Sequence, residues 1–321
     1  MQAALIVNPA ARAAAGAIQA VVAASVRLGW RPPLVLATSI AQPGAEQAAA
    51  ALAAGADRLI VAGGDGTLRH VAGVLAATAA PGGENPATVP LGVVPVGAAN
   101  IVARNLGLHR HRLDEAAGIA LTGVPRPLSV GWVACQVGGV WGAEMPMLAV
   151  AGIGRDAQAI ATTRPWLKSR LGWLAYAESG GRQAWRGALP MTVQIDDGPA
   201  QAVQAWSVLV AALPRLPLGV VAFPGVAPGG ATLEVLRVDL RHPAQWGAVA
   251  VKGLAHTTGS VGALHYSQAR QVVVRPLVPG PAQIDGDLIP DVEALRVRLQ
   301  TGAVRVAVAS PSEPRPAVRH G

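Results

Sequence analysis

Cysteine, charged residues and aromatic rings are all scarce in this chain of 321 residues. The single cysteine, Cys135, excludes an intrachain disulfide framework and a four-cysteine zinc site. Charged residues make up only 14% of the chain, whereas hydrophobic residues make up 51%. Disordered proteins lack this balance, because they cannot bury enough apolar surface to offset the entropy of chain ordering. The composition therefore predicts a folded protein with a large buried core.

Long hydrophobic runs of the kind that cross membranes are also missing from the sequence. A spanning helix needs roughly 20 consecutive apolar residues. The uncharged stretch 216–233 does not form one, because Pro217, Pro224 and Pro228 interrupt it. Residues 1–9 carry no basic leader, so we predict no secretory signal. These features favour a cytoplasmic protein.

The net charge is +8, with 26 lysine and arginine residues against 18 acidic ones. Such an excess favours anionic partners, namely nucleic acid, phosphorylated small molecules or an acidic membrane surface. We predict no nucleic-acid partner, because bases stack on grouped aromatic rings, whereas this chain has one Phe, two Tyr and eight Trp that are scattered along it. Six of the basic residues lie between residues 155 and 186. This pattern fits a membrane-surface contact, a phosphate clamp or simply a solvated helix face.

Apolar runs alternate with alanine-rich helical stretches through the first third of the chain, which predicts a parallel sheet covered by helices. After about residue 127, strand-like runs separated by Gly, Pro or Asp-Gly predict a mainly antiparallel β-sandwich domain. The predicted strands of the first part are 3–7, 33–37, 58–61 and 91–95, and its predicted helices are 18–28, 45–54, 68–77 and 100–105. The predicted strands of the second part are 128–137, 140–150, 191–195, 203–211, 231–238, 271–275 and 294–299, and its predicted helices are 169–185 and 243–254.

The most informative motif is Gly63-Gly64-Asp65-Gly66-Thr67, which lies between a predicted strand and a predicted helix. Glycines in such a loop let backbone N–H groups approach phosphate oxygens, and the following helix points its positive amino end at the same place. The carboxylate of Asp65 is suited to holding magnesium or orienting the phosphate. The motif has neither the spacing of a dinucleotide loop nor the lysine of a P-loop. An ordinary glycine-rich turn is the alternative.

Two other predicted strand ends carry turn motifs. Asn8-Pro9 follows the first strand, and Pro95-Val96-Gly97-Ala98-Ala99-Asn100 follows the fourth. We predict that Asn100 caps the helix that comes next. Because the carboxyl ends of parallel strands form a ligand crevice, the three loops together predict one shared site. Each loop taken alone also fits a plain structural turn.

This ordered set of motifs resembles the bacterial diacylglycerol and sphingosine lipid kinase family, which shares its nucleotide-binding fold with NAD kinases. The resemblance extends over nearly the whole chain. The family's Asn-Pro, Gly-Gly-Asp-Gly-Thr and Pro-x-Gly-Thr-x-Asn motifs match the three loops in order, with Ala98 in place of the family threonine. Further matches are Ala103-Arg104, Gly152 to Ala157, the spaced residues Lys168, Gly172, Ala175 and Tyr176, and Ile284 to Asp287, which looks like the family's Asp-Gly-Glu.

The resemblance implies transfer of the γ-phosphate of ATP to a lipid hydroxyl, with Mg²⁺ as cofactor and diacylglycerol as the favoured acceptor. It implies an NAD kinase-like α/β domain over residues 1–127, with 296–310 as a candidate completion. A lipid-substrate β domain would follow over 128–295. The composition of residues 311–321, which are rich in Pro and Arg, predicts a disordered tail. The implied partners are a lipid at the anionic inner face of the membrane, where the protein would bind peripherally, and a second copy of the chain in a homodimer.

The resemblance also assigns roles to individual residues. Asp65 would hold the metal, and Asp285 and Asp287 would face the cleft from the β domain. Asp287 is favoured as the base for the lipid hydroxyl, because it occupies the position of the family glutamate; a plain Asp-Gly hairpin turn is the alternative. Lys168 and Arg104 would contact phosphate or substrate. The implied nucleotide-binding residues are Asn8, Pro9, Arg12, Thr38, Gly63, Gly64, Asp65, Gly66, Thr67, Gly97, Ala98 and Asn100.

Departures from the family pattern keep other functions open. Ala98 lacks a hydroxyl, and the side chain of Asp287 is one methylene shorter than that of Glu. These two changes favour, as an alternative, a nucleotide- or lipid-binding protein without catalysis. An NAD kinase, which shares the Gly-Gly-Asp-Gly loop, is the second enzyme candidate. The family's Asp-Asp-Gly is missing near Ala227-Pro228, so we expect no second, structural metal there.

Overall fold

The computed structural model describes residues 1–79, 89–162, 187–216, 220–239 and 263–310. The predicted helices at 169–185 and 243–254 lie outside the described residues, as do Lys168 and the tail at 311–321.

The first part of the chain forms a parallel sheet with helices on its faces, as its alternating pattern predicts. Four parallel strands lie in the spatial order β2-β1-β3-β4. The elements are β1 (Gln2–Val7), α1 (Ala14–Arg27), β2 (Arg31–Ala37), α2 (Ala45–Ala53), β3 (Arg58–Gly63), α3 (Asp65–Thr78), β4 (Leu91–Pro95), α4 (Ile101–Asn105) and α5 (Leu113–Thr122). All six residues of β3 are buried, which fits a central strand covered on both faces.

In the second part, the antiparallel strands of a large mixed sheet pack face to face against a separate antiparallel sheet, which confirms the predicted β-sandwich. The elements are β5 (Val124–Val137), β6 (Val140–Trp141), β7 (Met145–Met147), β8 (Val150–Gly154), α6 (Arg155–Thr162), β9 (Leu189–Ile195), β10 (Gln201–Ala205), β11 (Ser207–Ala211), β12 (Leu233–Val238), β13 (Leu264–Ala269), β14 (Gln271–Pro276), β15 (Gly280–Ile284), β16 (Asp287–Val292) and β17 (Ala294–Val308). Within the described residues, one sheet has eleven strands and the other has six.

The larger sheet joins the two parts of the molecule. Its strands run in the order β10-β9-β14-β17-β4-β3-β1-β2, with β5 beside β17. The smaller sheet has the order β13-β12-β11-β8-β15-β16. Buried side chains such as Val133 and Val297 from the larger sheet meet Val235 and Ala282 from the smaller one in a shared core. The hairpin β15–β16 therefore lies at one edge of the smaller sheet.

Two predicted strands prove to be several shorter ones. The predicted strand 203–211 is divided between β10 and β11, which belong to different sheets. Trp206 lies between them, and its backbone N–H donates to the carbonyl of Val238. The predicted strand 140–150 is likewise divided among β6, β7 and the start of β8. An apolar run shows that residues are buried, but it does not show where the chain passes from one sheet to another.

β17 is a long strand that serves both parts of the molecule. It pairs with β5 along most of its length, from Ala294–Gln136 to Val308–Val124, and it pairs in parallel with β4 at Val306 and Leu91. The predicted domain limits 1–127 and 128–295 stay predictions. None of the helices in the described part of the chain combines the length and apolar character that crossing a membrane requires.

Candidate nucleotide and acceptor site

The carboxyl ends of β2, β1, β3 and β4 lie side by side and carry the predicted nucleotide loops. The terminal pairs are Val7 with Ala37, Val7 with Ala62, and Gly63 with Pro95. Backbone bonds continue one residue further, since the N–H of Thr38 donates to Val7 and that of Asn8 donates to Ala62. The register therefore brings Asn8, Thr38, Gly64 and Gly97 to one edge of the sheet.

The loops after β3 and β4 contact each other through glycine backbones. A Cβ atom on Gly97 would lie 2.4 Å from the Cα of Gly64 and 2.8 Å from Oδ1 of Asn100. A Cβ atom on Gly66, in contrast, would meet no heavy atom within 4 Å. The close approach requires glycine at position 97, and the open space in front of Gly66 is the kind of cradle that phosphate oxygens need.

Asn100 does not cap the following helix with its side chain, so that prediction is wrong. It stands at the N-cap position with φ of 48°, but its side chain turns back into its own loop. Its Oδ1 accepts from the N–H of Gly97 at 3.0 Å, and its Nδ2 donates to the carbonyl of Gly97 at 2.7 Å. Asn100 thus closes the loop that approaches Gly64.

The side chain of Asp65, which lies in a different segment of the chain, caps helix α4 instead. Its Oδ1 accepts from the N–H of Val102, in the first turn of α4, at 3.1 Å. This bond satisfies a helix donor that would otherwise have no partner. It also ties the first residue of α3 to α4, so that the two glycine loops are held together by a side chain as well as by backbone packing.

Asp65 also fits the requirements of a magnesium ligand. Among the described residues, no donor bonds its second carboxylate oxygen, and no group of three His, Cys, Asp or Glu side chains is placed to hold a metal. Mg²⁺ usually binds proteins through one or two carboxylates and completes its shell with phosphate oxygens and water. A single carboxylate beside a phosphate cradle matches that coordination.

Three of the other predicted nucleotide residues shape the loops. The side chain of Thr67 is buried against Gly63, whose Cβ would lie 3.0 Å from that of Thr67. Oδ1 of Asn8 accepts from the N–H of Ala10 at 3.0 Å, which fixes the turn after β1. Thr38 is buried at the end of β2. Pro9, Arg12 and Ala98 are exposed at the same edge.

Arg104 braces the loop after β4. Its Nε donates to the carbonyl of Ala99 at 2.9 Å, and its side chain is half-buried. The predicted contact of Arg104 with phosphate or substrate stays a prediction, and so does that of Lys168, which lies outside the described residues.

Asp285 and Gly286 form the two-residue turn of the β15–β16 hairpin. Ile284 pairs with Asp287 across it, and both turn residues have positive φ, at 50° and 92°. This geometry is typical of an Asp-Gly hairpin turn. The catalytic roles predicted for Asp285 and Asp287 stay predictions. The same turn presents Asp287 as the first residue of β16.

The carboxylate of Asp285 anchors the hairpin. It accepts three backbone N–H bonds of 2.8 to 2.9 Å, from Leu148, Ala149 and Val150. Burial raises the pKa of the Asp285 carboxyl, while these three donors act in the opposite direction. Asp285 and Asp287 therefore have separate partners.

Asp287 bonds a residue that the motifs did not single out, Arg69. Arg69 lies on α3, one turn after Asp65; its Nη1 donates to the carbonyl of Ile284 at 2.8 Å and its Nη2 donates to Oδ2 of Asp287. The Arg69 side chain is 10% exposed and that of Asp287 is 65% exposed. The spacing of four residues from Asp65, which places Arg69 on the same face of the helix, was the available signal.

A second buried carboxylate lies behind the hairpin, on α6. Both carboxylate oxygens of Asp156 are buried, and the side chains of Ser207 and Gln283 lie near enough to favour the charged form of the carboxyl. A Cβ on Gly152 would lie 2.3 Å from Oδ2 of Asp156 and 3.0 Å from Nε2 of Gln283. Burial raises the pKa of the Asp156 carboxyl. Oε1 of Gln283 accepts from the N–H of Gly286, so this pocket adjoins the turn that presents Asp287.

The first part of the chain is similar to known proteins. Residues 2–133 match the family model described as the diacylglycerol kinase catalytic domain. A diacylglycerol kinase of Bacillus subtilis (strain 168) is 38% identical over 124 residues, which cover 39% of this chain and 36% of that protein. The resemblance to the lipid kinase family is confirmed. A Pseudomonas fluorescens protein named "Probable lipid kinase YegS-like" is 39% identical over 130 residues, which cover 40% of this chain and 38% of that protein.

The sequence matches cover only part of the chain. The lipid kinase match includes all three nucleotide loops, and it ends before Asp285 and Asp287. The chain aligns with little more than a third of the length of these curated relatives. A crystal structure of a diacylglycerol kinase from Bacillus anthracis str. Sterne covers 97% of both chains with a TM-score of 0.69 and 18% identity. A second crystal structure from that organism, titled "Crystal structure of a putative diacylglycerol kinase", covers 97% of this chain and 98% of its own with a TM-score of 0.73 and 21% identity. These two likenesses establish the fold of both parts.

Proposed function

We propose that this protein is a lipid kinase that transfers the γ-phosphate of ATP to the hydroxyl of a membrane lipid, with diacylglycerol as the acceptor. One observation carries the proposal. Helix α3 begins in the glycine loop at Asp65, and one turn later its Arg69 bonds the exposed carboxylate of Asp287. A phosphate cradle and a candidate base are thus fixed to the same helix, as transfer between two substrates requires.

The nucleotide side of the proposed site has the parts that phosphoryl transfer needs. The reaction passes through a loose transition state, so catalysis consists mainly of positioning and charge stabilisation. Backbone N–H groups around Gly64 and Gly66 and the amino end of α3 would bind the phosphates of ATP. Asp65 would hold Mg²⁺, which when bound neutralises charge on the phosphate oxygens. The exposed Arg12 is suited to a further phosphate contact.

Asp287 is the proposed base on the acceptor side. Its Oδ2 is engaged by Arg69, and among the described residues no donor bonds its Oδ1. As the lipid oxygen forms its bond to the γ-phosphorus, the bond from that phosphorus to the β-γ bridging oxygen breaks. The hydroxyl proton passes to Oδ1 of Asp287, and ADP leaves. The buried Asp285 keeps the turn in shape and takes no part in the proton transfer.

The net charge of +8 supports a peripheral place for the protein at an anionic membrane surface. We propose that it binds from the cytoplasmic side, where acidic lipids concentrate. Binding to vesicles that contain phosphatidylglycerol should weaken steeply with added salt, because exposed charges are screened within roughly 10 Å at about 0.1 M ionic strength. Salt-independent binding would contradict this part of the proposal. The expected homodimer is checked separately, by sedimentation equilibrium.

The test of the proposed function is transfer of labelled phosphate from ATP with magnesium to a panel of acceptors: diacylglycerol, monoacylglycerol, sphingosine and NAD. We expect labelled lipid from the wild type, and loss of about 100-fold or more in rate for Asp65→Asn and for Asp287→Asn, since each removes a group that acts in the transfer. Asp57→Asn is the matched control, because Asp57 lies exposed before β3, at the opposite edge of the sheet. It should keep full activity.

The panel also separates the alternatives. Label on NAD alone would make the protein an NAD kinase. ATP binding without transfer to any acceptor would favour a nucleotide-binding protein that lacks catalysis. Full turnover in Asp65→Asn would contradict the proposed metal site, even if a lipid is the acceptor.

A further inference from the structure

Arg69 is a buried cation placed between the nucleotide loops and the acceptor-side hairpin. Its side chain is 10% exposed. A buried charge is costly unless it is paired and hydrogen-bonded. Among the described residues, Asp287 is the carboxylate that pairs with Arg69, and the carbonyl of Ile284 takes a second donor. The ion pair is therefore held firmly, because its loss would leave the guanidinium buried without a counter-ion.

The bonding pattern fixes the hairpin as well as the side chain. Ile284 is the last residue of β15 and Asp287 the first of β16, and the two are paired across the turn. The two terminal nitrogens of Arg69 bond these two residues, so the planar guanidinium spans the base of the turn. Both the position of the turn and the direction of the Asp287 carboxylate are set by one rigid group.

The helix gives this group a fixed offset from the nucleotide loop. Asp65 and Arg69 are separated by four residues of α3, which corresponds to a rise of about 6 Å along the helix axis. The side chain of Asp65 is itself tied to Val102 at the start of α4. A helical turn cannot stretch, so the candidate base and the candidate metal ligand keep a constant separation.

We propose that Arg69 is a positioning residue of the phosphoryl transfer reaction. It holds Oδ2 of Asp287 so that the other oxygen, Oδ1, faces the acceptor hydroxyl. The same contact explains how Asp287, whose side chain is one methylene shorter than that of glutamate, serves as the base. Arg69 holds the hairpin close to α3, and this position of the hairpin makes up for the shorter side chain. This inference rests on the proposed lipid kinase function.

A purely structural role for Arg69, as one of several links between α3 and the β part, makes different predictions. Gln300 provides the matched control. Its Nε2 donates to the carbonyl of Ala76 on α3 at 3.0 Å, and its Oε1 accepts from Nε1 of Trp132 at 2.7 Å. Gln300→Ala therefore removes a link from the same helix without touching Asp287.

The experiment compares Arg69→Gln, Arg69→Lys, Asp287→Asn, the double variant Arg69→Gln/Asp287→Asn, and Gln300→Ala. The readouts are kcat, the KM for ATP, and Tm, with the lipid acceptor in mixed micelles. For Arg69→Gln we expect kcat to fall about 30- to 100-fold with the KM for ATP changed by less than about twofold, since misplacing a reacting group by about 1 Å costs that much. Arg69→Lys, which keeps the charge but not the fork, should recover part of the loss.

Non-additivity is the readout that a structural role would not produce. The double variant should be no slower than Asp287→Asn alone, because Arg69 acts only through that carboxylate. Gln300→Ala should lower Tm while its kcat stays within about twofold of the wild type. If Arg69→Gln does not fold, Arg69→Lys replaces it, alone and combined with Asp287→Asn, and the same test of additivity is made.

The inference is overturned if Arg69→Gln or Arg69→Lys turns over at the wild-type rate. It is also overturned if the fall in kcat caused by the Arg69 substitution adds in full to the fall caused by Asp287→Asn. If the wild type phosphorylates a lipid and Arg69→Gln does so at the same rate, the inference about Arg69 is wrong, but the proposed lipid kinase function is supported. Failure of the wild type to phosphorylate any acceptor of the panel would instead remove the proposed function, and the inference with it.

Discussion

The contact between Gly97 and Gly64 makes a quantitative prediction for Gly97→Ala. The added Cβ would lie 2.4 Å from the Cα of Gly64, whereas ordinary van der Waals contacts of this kind measure 3.4 to 4 Å. The neighbouring atoms are backbone on one side and the hydrogen-bonded amide of Asn100 on the other, so neither can turn aside. The two loops must therefore separate by about 1 Å, and overpacking of this kind costs about 1 to 3 kcal/mol.

That strain should appear in both stability and nucleotide binding. We expect Tm to fall by about 2 to 4 °C for each kcal/mol. If the same strain must be overcome to restore the binding geometry, the affinity for ATP falls by about 5- to 150-fold, because 1.4 kcal/mol corresponds to a factor of about ten. Both effects follow from the separation of the loops, so they should occur together in the one variant.

The assay is isothermal titration with ATP and magnesium together with a thermal melt. Gly118→Ala is the matched control, since Gly118 lies in helix α5 and its added Cβ would meet no atom within 4 Å. That variant should bind ATP normally and gain about 0.5 to 1 kcal/mol of stability, as expected for alanine in a helix. Unchanged Tm and ATP affinity in Gly97→Ala would refute the reasoning, because they would mean that the loops do not pack as closely as described.

Three further variants or reagents test other parts of the structure. Burial raises the pKa of the Cys135 thiol to about 11, so thiol labelling of the native protein at about pH 8 should be at least about 100-fold slower than labelling of the unfolded chain; comparable rates would mean that Cys135 is accessible. Asp285→Ala removes the acceptor of three backbone N–H groups, and we expect a loss of about 2 to 4 kcal/mol in denaturant unfolding together with loss of transfer activity. Burial raises the pKa of Asp156, so the folded state binds its proton more readily than the unfolded state does, and this contribution to stability is lost as pH rises through the folded-state pKa. Asp156→Asn should therefore gain stability relative to the wild type as the pH rises above the ordinary pKa of an aspartate carboxyl, measured by urea unfolding, and a difference that stays constant with pH would count against burial of the charge.

The sequence alone predicted in considerable detail where the loops of the proposed nucleotide site lie. Asn8, Thr38, Gly63 and Gly97 follow four apolar runs that alternate with helices, and parallel strands connected in this way have their carboxyl ends at one edge. The position of each loop depends on residues only a few places apart in the chain. Such local patterns predict the structure well, because the apolar spacing of each segment is enough to specify it as a strand or a helix.

Contacts between distant segments were decided only by the tertiary structure. The pattern assigned the capping of α4 to Asn100, whereas the donor of Val102 is satisfied by Asp65, 37 residues earlier. Arg69 and Asp287 are 218 residues apart, and nothing near either one indicates that they meet. The passage of the chain from one sheet to the other at Trp206 was also invisible in the apolar run. Such contacts depend on how the sheets stack and on which strands lie beside each other. The sequence thus determined where the glycine loops gather, and the packing of α3 against the β15–β16 hairpin decided which carboxylate pairs with Arg69.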